Sequence, residues 1–140
     1  MAASALLVSA CGSVGGKSAT LLRPPSPVYV SVYINDARVS VSPGSVGAGP
    51  VVFVVANQAS QAEALAISHA GRATSLASTA PINPQGTTQL TLDIQPGNYT
   101  VATAPQGAKE AQVTQPTRIR AASLHIGRHR PSSSNQVMQP

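Results

Sequence analysis

Three features of this 140-residue sequence predict an all-β protein, an antiparallel Greek-key β-sandwich. Runs such as Val28–Ile34 and Thr87–Ile94 alternate apolar and polar residues with the period of two that a half-buried strand requires. Clusters containing Pro and Gly punctuate those runs at short intervals, and almost nothing repeats at helical spacing. Aromatic residues make up only 3% of the chain and Trp is absent, so the core must be built from Val, Leu, Ile and Ala. An immunoglobulin-like sandwich is the alternative, although the chain has neither the paired cysteines nor the core Trp of that fold.

The chain opens with an apolar run that ends in two small residues and a cysteine, Leu7-Val8-Ser9-Ala10-Cys11. That order closes a short export signal. It resembles the lipobox of bacterial lipoproteins, which implies that the Cys11 thiol is acylated and that residues 1–10 are removed. Those ten residues contain no Lys or Arg, whereas a signal begins with a positive segment, so on the lipobox reading a start further upstream is expected. The competing reading makes Leu6, Leu7 and Val8 the first turn of a core helix and Cys11 a buried small residue. Gly15-Gly16-Lys17-Ser18 comes close to a phosphate-binding loop, but that pattern needs a glycine where Cys11 stands. Pro24, Pro25 and Pro27 also forbid the helix that such a loop must open. Residues 11–27 read instead as a lipidated cysteine and a Gly/Ser-rich tether that stiffens with proline toward a folded domain.

The sandwich is expected over residues 28–126. Val28, Val30, Val32 and Ile34 face one side of the first strand, with Tyr29, Ser31 and Tyr33 on the other. Residues 38–42 repeat the alternation, residues 43–49 read as a turn cluster, and residues 50–57 form a continuous β-branched run. Leu65 and Ile67 point inward from a strand over 63–68, and a loop follows from His69 to Gly86. Leu90, Leu92 and Ile94 line the next strand, and the Gln95-Pro96-Gly97-Asn98 turn predicts that residues 99–104 return as its antiparallel hairpin partner. A final strand from about Arg118 to Ile126 buries Ile119, Leu124 and Ile126. Residues 127–140 carry too little apolar surface to pack and read as a polar tail.

Charged residues are 9% of the chain against roughly 25% in an average domain, a profile that suits an exported β protein with neutral polar faces. The net charge of +5 gathers late, where Arg118, Arg120, Arg128 and Arg130 flank His125 and His129. No aromatic interleaving or groove-reading helix accompanies these cations, so nucleic acid is not an expected partner. A solvated strand end near anionic lipid headgroups is the expected role. The single cysteine excludes an internal disulfide, and no stretch approaches the ~20 apolar residues of a spanning helix. The carboxylates Asp36, Glu63, Asp93 and Glu110 are scattered and no Ser-His-Asp set assembles, so no catalytic residue and no enzyme activity are expected. Asn98-Tyr99-Thr100 matches a glycan acceptor by accident, since it starts a strand.

At "VSPGSVGAGPVVFVVANQASQAEALAI" and "TTQLTLDIQPGNYTVAT" the chain resembles the cupredoxin superfamily, over roughly Val28 to Ala104. Its closing "ASLHIGRHRPSSSNQ" is similar to the end of cupredoxin-like domain lipoproteins of high-GC Gram-positive bacteria. The resemblance implies a copper site of two His, one Cys and an axial ligand such as Met. Motif alignment puts Glu63 at the first His position and Thr103 at the Cys position, and no His or Met follows Thr103 until His125. His125 and His129 stay as a candidate metal pair at i, i+4, with His69 a further imidazole for an atypical site. The resulting expectation is a non-enzymatic module with no cofactor, held by a lipid anchor on the extracytoplasmic side of a cell membrane. Its partner would be an unidentified envelope protein or polymer, and its oligomeric state stays open. The alternative is a copper-binding, electron-transfer or metal-handling protein with an atypical site.

Overall fold

The computed structural model describes residues 25–104 and 119–131, which form strands and connections with no helix among them. The strands are β1 (Val28–Ile34), β2 (Val39–Ser42), β3 (Ser45–Asn57), β4 (Ala64–His69), β5 (Ser75–Ser78), β6 (Thr87–Ile94), β7 (Gly97–Ala104) and β8 (Ala122–His129). They make two sheets that share β3. The first sheet runs β2-β1-β3-β6 through the C-terminal part of β3, and the second runs β3-β8-β7-β4-β5 through its first four residues.

The all-β sandwich expected from the alternation is what the chain builds, with two departures in pairing. β1 runs parallel to β3, and the start of β3 runs parallel to β8, while every other ladder is antiparallel. The immunoglobulin-like alternative, whose basic form pairs antiparallel strands throughout each sheet, departs from the parallel β1–β3 ladder.

Val30, Val32 and Ile34 from β1, Val51, Phe53 and Val55 from β3, Leu65 and Ile67 from β4, and Leu124 and Ile126 from β8 form the core. Each such side chain removed from water contributes about 1.5–3 kcal/mol, so an aliphatic interior suffices without Trp. Ile119, Leu124 and Ile126 are buried as expected.

Residues 43–49 are not a turn cluster throughout. Only Pro43 and Gly44 turn, and Ser45 to Gly49 belong to β3. The glycines there serve a bend, in which the chain runs beside β8 and then reverses to climb beside β1. A Cβ on Gly47 would lie 2.6 Å from Arg130 Cγ, and Gly49 has φ +122°, which L side chains rarely adopt. Arg130 fills this bend. Its Nε donates to the carbonyls of Gly47 (3.2 Å) and Ala48 (3.4 Å), and its terminal nitrogens donate to those of Ser26 and Pro50.

The expected hairpin of residues 87–94 with 99–104 does not form. β6 pairs with β3 in the first sheet, whereas β7 pairs with β4 and β8 in the second, so Gln95 and Pro96 arch between sheets. Tyr99 explains the arch, because its hydroxyl donates back to the Gln95 carbonyl at 2.9 Å and its ring is buried over Gly97. This is the tyrosine-corner device of sandwich proteins. Two smaller differences remain. The expected 69–86 loop contains β5, which pairs through its backbone with β4. The last strand runs Ala122–His129 rather than 118–126, so Gly127, Arg128 and His129 belong to the sheet and not to a tail.

Candidate functional site

The registers define two ends. At the proximal end lie Pro25 to Val28, the β3 bend at Gly47 to Pro50, the β6–β7 arch, His69 at the close of β4, and His129 at the close of β8. At the distal end lie Ile34 to Arg38, Asn57 to Glu63, Ile82 to Gly86, Thr103 and Ala104, and Ile119 and Arg120.

The positions that the resemblance assigned to metal ligands fall at the distal end. Glu63 bridges Ile82 just before β4, and Thr103, buried at 5% exposure, sits opposite Leu65 near the end of β7. Between them the structure is organised by Asn57, which is completely buried. Its Nδ2 donates to the carbonyls of Gln61 and Ile82, each at 2.8 Å, and its Oδ1 accepts from the Ala59 amide at 2.9 Å. Its backbone amide donates to Gly86 and its carbonyl accepts from Gln85. One amide thereby ties the end of β3 to both loops that cross this end.

Asp36 and Glu63, expected to be scattered, come together here. They line a recess of about 360 Å³ with Ser60, Gln61 and Ile119. Asp36 Oδ1 accepts from the Ser60 amide (2.9 Å) and hydroxyl (2.8 Å). Burial raises the Glu63 carboxyl above its ordinary 4.5, and the Asp36 carboxylate pushes it the same way.

A cupredoxin copper ion asks for imidazole and thiolate. This end offers a carboxylate, a buried hydroxyl and an amide whose two N–H donors are both engaged, a set that does not fit the group. Among the described residues no three His, Cys, Asp or Glu side chains gather as metal ligands.

Every histidine of the chain lies toward the proximal end instead. His69 packs its ring on Tyr99 with centroids 4.7 Å apart, and His125 Nδ1 meets Asn98 Oδ1 at 2.8 Å across the β7–β8 ladder. The candidate pair His125 and His129 is not brought together. Both lie on β8, and four residues of extended strand separate them by about 13 Å, where a helix would have stacked them. His69, Ala70, Arg72 and Asn98 line a second recess of about 440 Å³. Cys11, Glu110 and Arg118 lie outside the described residues. Asn57, the Asp36–Ser60 contact and the Arg130 clasp were not recognised from the sequence, and only Asn57 left a signal there, as the polar end of an apolar strand.

No protein-family profile matches the chain, and no curated protein matches it. Among solved structures it is similar to dithionite-reduced auracyanin from the photosynthetic bacterium Roseiflexus castenholzii, at TM-score 0.48 and 14% identity, covering 74% of this chain and 98% of that one. It is also similar to the copper-containing nitrite reductase NirK from Thermus scotoductus SA-01, at TM-score 0.44 and 14% identity, covering 78% of this chain and spanning 32% of that one. Neither likeness is close enough to carry chemistry to these residues.

Proposed function

We propose that this protein is a non-enzymatic, cupredoxin-like binding or accessory module without a type 1 copper site, held by an acylated Cys11 on the extracytoplasmic face of a bacterial membrane. The observation that supports the metal-free reading is the distal end. Glu63 and Thr103 stand where ligands would be needed, and Asn57 spends its side chain on loop carbonyls. The sequence around Cys11 and the low charge content support anchoring. Acyl chains contribute about 0.8 kcal/mol per buried CH₂, so two or three hold a small domain firmly where one holds it reversibly.

Two measurements test the two halves. Full-length protein expressed in a bacterial host partitions into detergent, and Cys11→Ser is released or kept as unprocessed precursor. Equal mass and equal partitioning of the two forms overturn the anchor. The chain incubated with copper and dialysed retains no stoichiometric metal and shows no intense visible band. Retention of one equivalent with such a band restores the electron-transfer alternative.

A further inference from the structure

The geometry points to a docking surface at the proximal end for an anionic phospholipid bilayer, with the His69–Arg72–Asn98 recess receiving a headgroup phosphodiester. This deepens the anchored-module reading and rests on it only for the membrane being at hand.

Charge is divided unequally between the two ends. Among the described residues, the distal end sets Arg38 and Arg120 against Asp36 and Glu63, and these four charges cancel. Toward the proximal end stand Arg72, Arg128 and Arg130, with His69, His125 and His129, against one carboxylate among the described residues, Asp93, beside Pro50 in the β3–β6 ladder. Arg72 and Arg128 are exposed. Arg130 is held by four backbone carbonyls and, among the described residues, by no carboxylate, so its charge is left to act on the surroundings.

The same end receives the N-terminal segment. Arg130 holds the Ser26 carbonyl, and Pro25 Cγ lies 3.2 Å from where a Gly49 Cβ would stand. The chain upstream is short, from Cys11 to Pro24, and adds Lys17 and Arg23. Because the chain enters the fold here, an acylated Cys11 would hold this basic end, rather than the distal end, toward the headgroups.

The recess supplies the local chemistry. Arg72 is a phosphate-binding guanidinium. Asn98 has its Oδ1 engaged by His125, which leaves its amide N–H groups to donate. Among the described residues no carboxylate lines the recess. An anionic leaflet attracts such cations over about a Debye length, so the attraction is salt-dependent.

The test uses the full chain carrying Cys11→Ser, so that acylation plays no part and failure of the anchor is not confused with failure of this surface. Sedimentation with vesicles is compared between phosphatidylcholine alone and an equimolar mixture with phosphatidylglycerol. The expected result is binding to the mixture only, weakening as salt rises, with Arg72→Gln and Arg128→Gln each lowering it about fivefold. Arg38→Gln and Arg120→Gln at the distal end leave it unchanged. Inorganic phosphate at matched ionic strength does not compete. Equal sedimentation with both vesicle types, or equal losses from the variants of the two ends, overturns the proposal. Displacement by inorganic phosphate also overturns it, in favour of a soluble anion site.

Discussion

The two ends of the sandwich are built from the same strands but differ in what their polar residues do. At the distal end the polar groups face one another: Asn57 binds two loops, Ser60 binds Asp36, and Glu63 pairs its backbone with Ile82. At the proximal end the cations and imidazoles face solvent, and only Arg130 is consumed by the fold. The distal end is thus a structural knot in the place where the resemblance would put chemistry, and the proximal end carries the groups able to meet a ligand. A fold does not fix where function sits, and here the residues separate the two.

The comparison breaks first at Asn57. Asn57→Ala removes three side-chain hydrogen bonds and leaves the buried Ala59 amide without its side-chain acceptor, so a loss on the order of 2–4 kcal/mol is expected in denaturant unfolding. A loss below about half a kcal/mol would mean that the knot does not hold this end. Next is the proximal bend. Gly49→Ala forces a non-glycine residue to φ +122° and should cost about 1–3 kcal/mol, read as a lower unfolding midpoint with an unchanged m-value. Tyr99→Phe deletes only the hydroxyl that reaches back to Gln95 and should cost about 1 kcal/mol. Wild-type stability in that variant would show that the arch needs only the ring.

The smallest effect depends on pH. Glu63 has a folded pKa raised above its unfolded value, so the folded state binds the proton more tightly. Stability contributed by this group is therefore greatest below the ordinary carboxylate value and falls as pH rises through the raised one. Glu63→Gln should raise the melting temperature at neutral pH, and the gain should vanish in acid below about 4.5. A variant less stable than wild type at neutral pH would point to a partner for the carboxylate that outweighs its burial.

Much of this arrangement could be read in advance, and the failures have common physical causes. β1 and β6 announce themselves because one face is buried and the other wet, which writes the period of two directly into Val28–Ile34 and Thr87–Ile94. Pro96-Gly97 correctly marked a reversal, but turn chemistry does not say whether the chain returns in its own sheet or crosses to the other, and the Tyr99 hydroxyl decides that. Gly47 and Gly49 looked like loop residues because glycine signals freedom, whereas here it makes room for Arg130 and admits a bend inside β3. β5 stayed hidden because Ser75–Ser78 is joined to β4 through backbone pairing and buries almost nothing.

The site was legible only in part. Glu63 and Thr103 could be placed by motif, but that Asp36 approaches Glu63, or that Asn98 meets His125, depends on register between strands distant in sequence. Arg130, read as part of a tail, binds carbonyls eighty or more residues away, as with Gly47 at a separation of 83.

The most direct test of the division between ends is to add Cu(II) to the isotope-labelled full chain and record which backbone amides lose NMR intensity. Exposed imidazoles bind copper adventitiously. Broadening is expected only around His69, His125 and His129, with Asn57, Glu63 and Thr103 unaffected and no intense visible absorption. Broadening centred on Glu63 and Thr103, accompanied by such absorption, would contradict it and make the distal end a copper site after all.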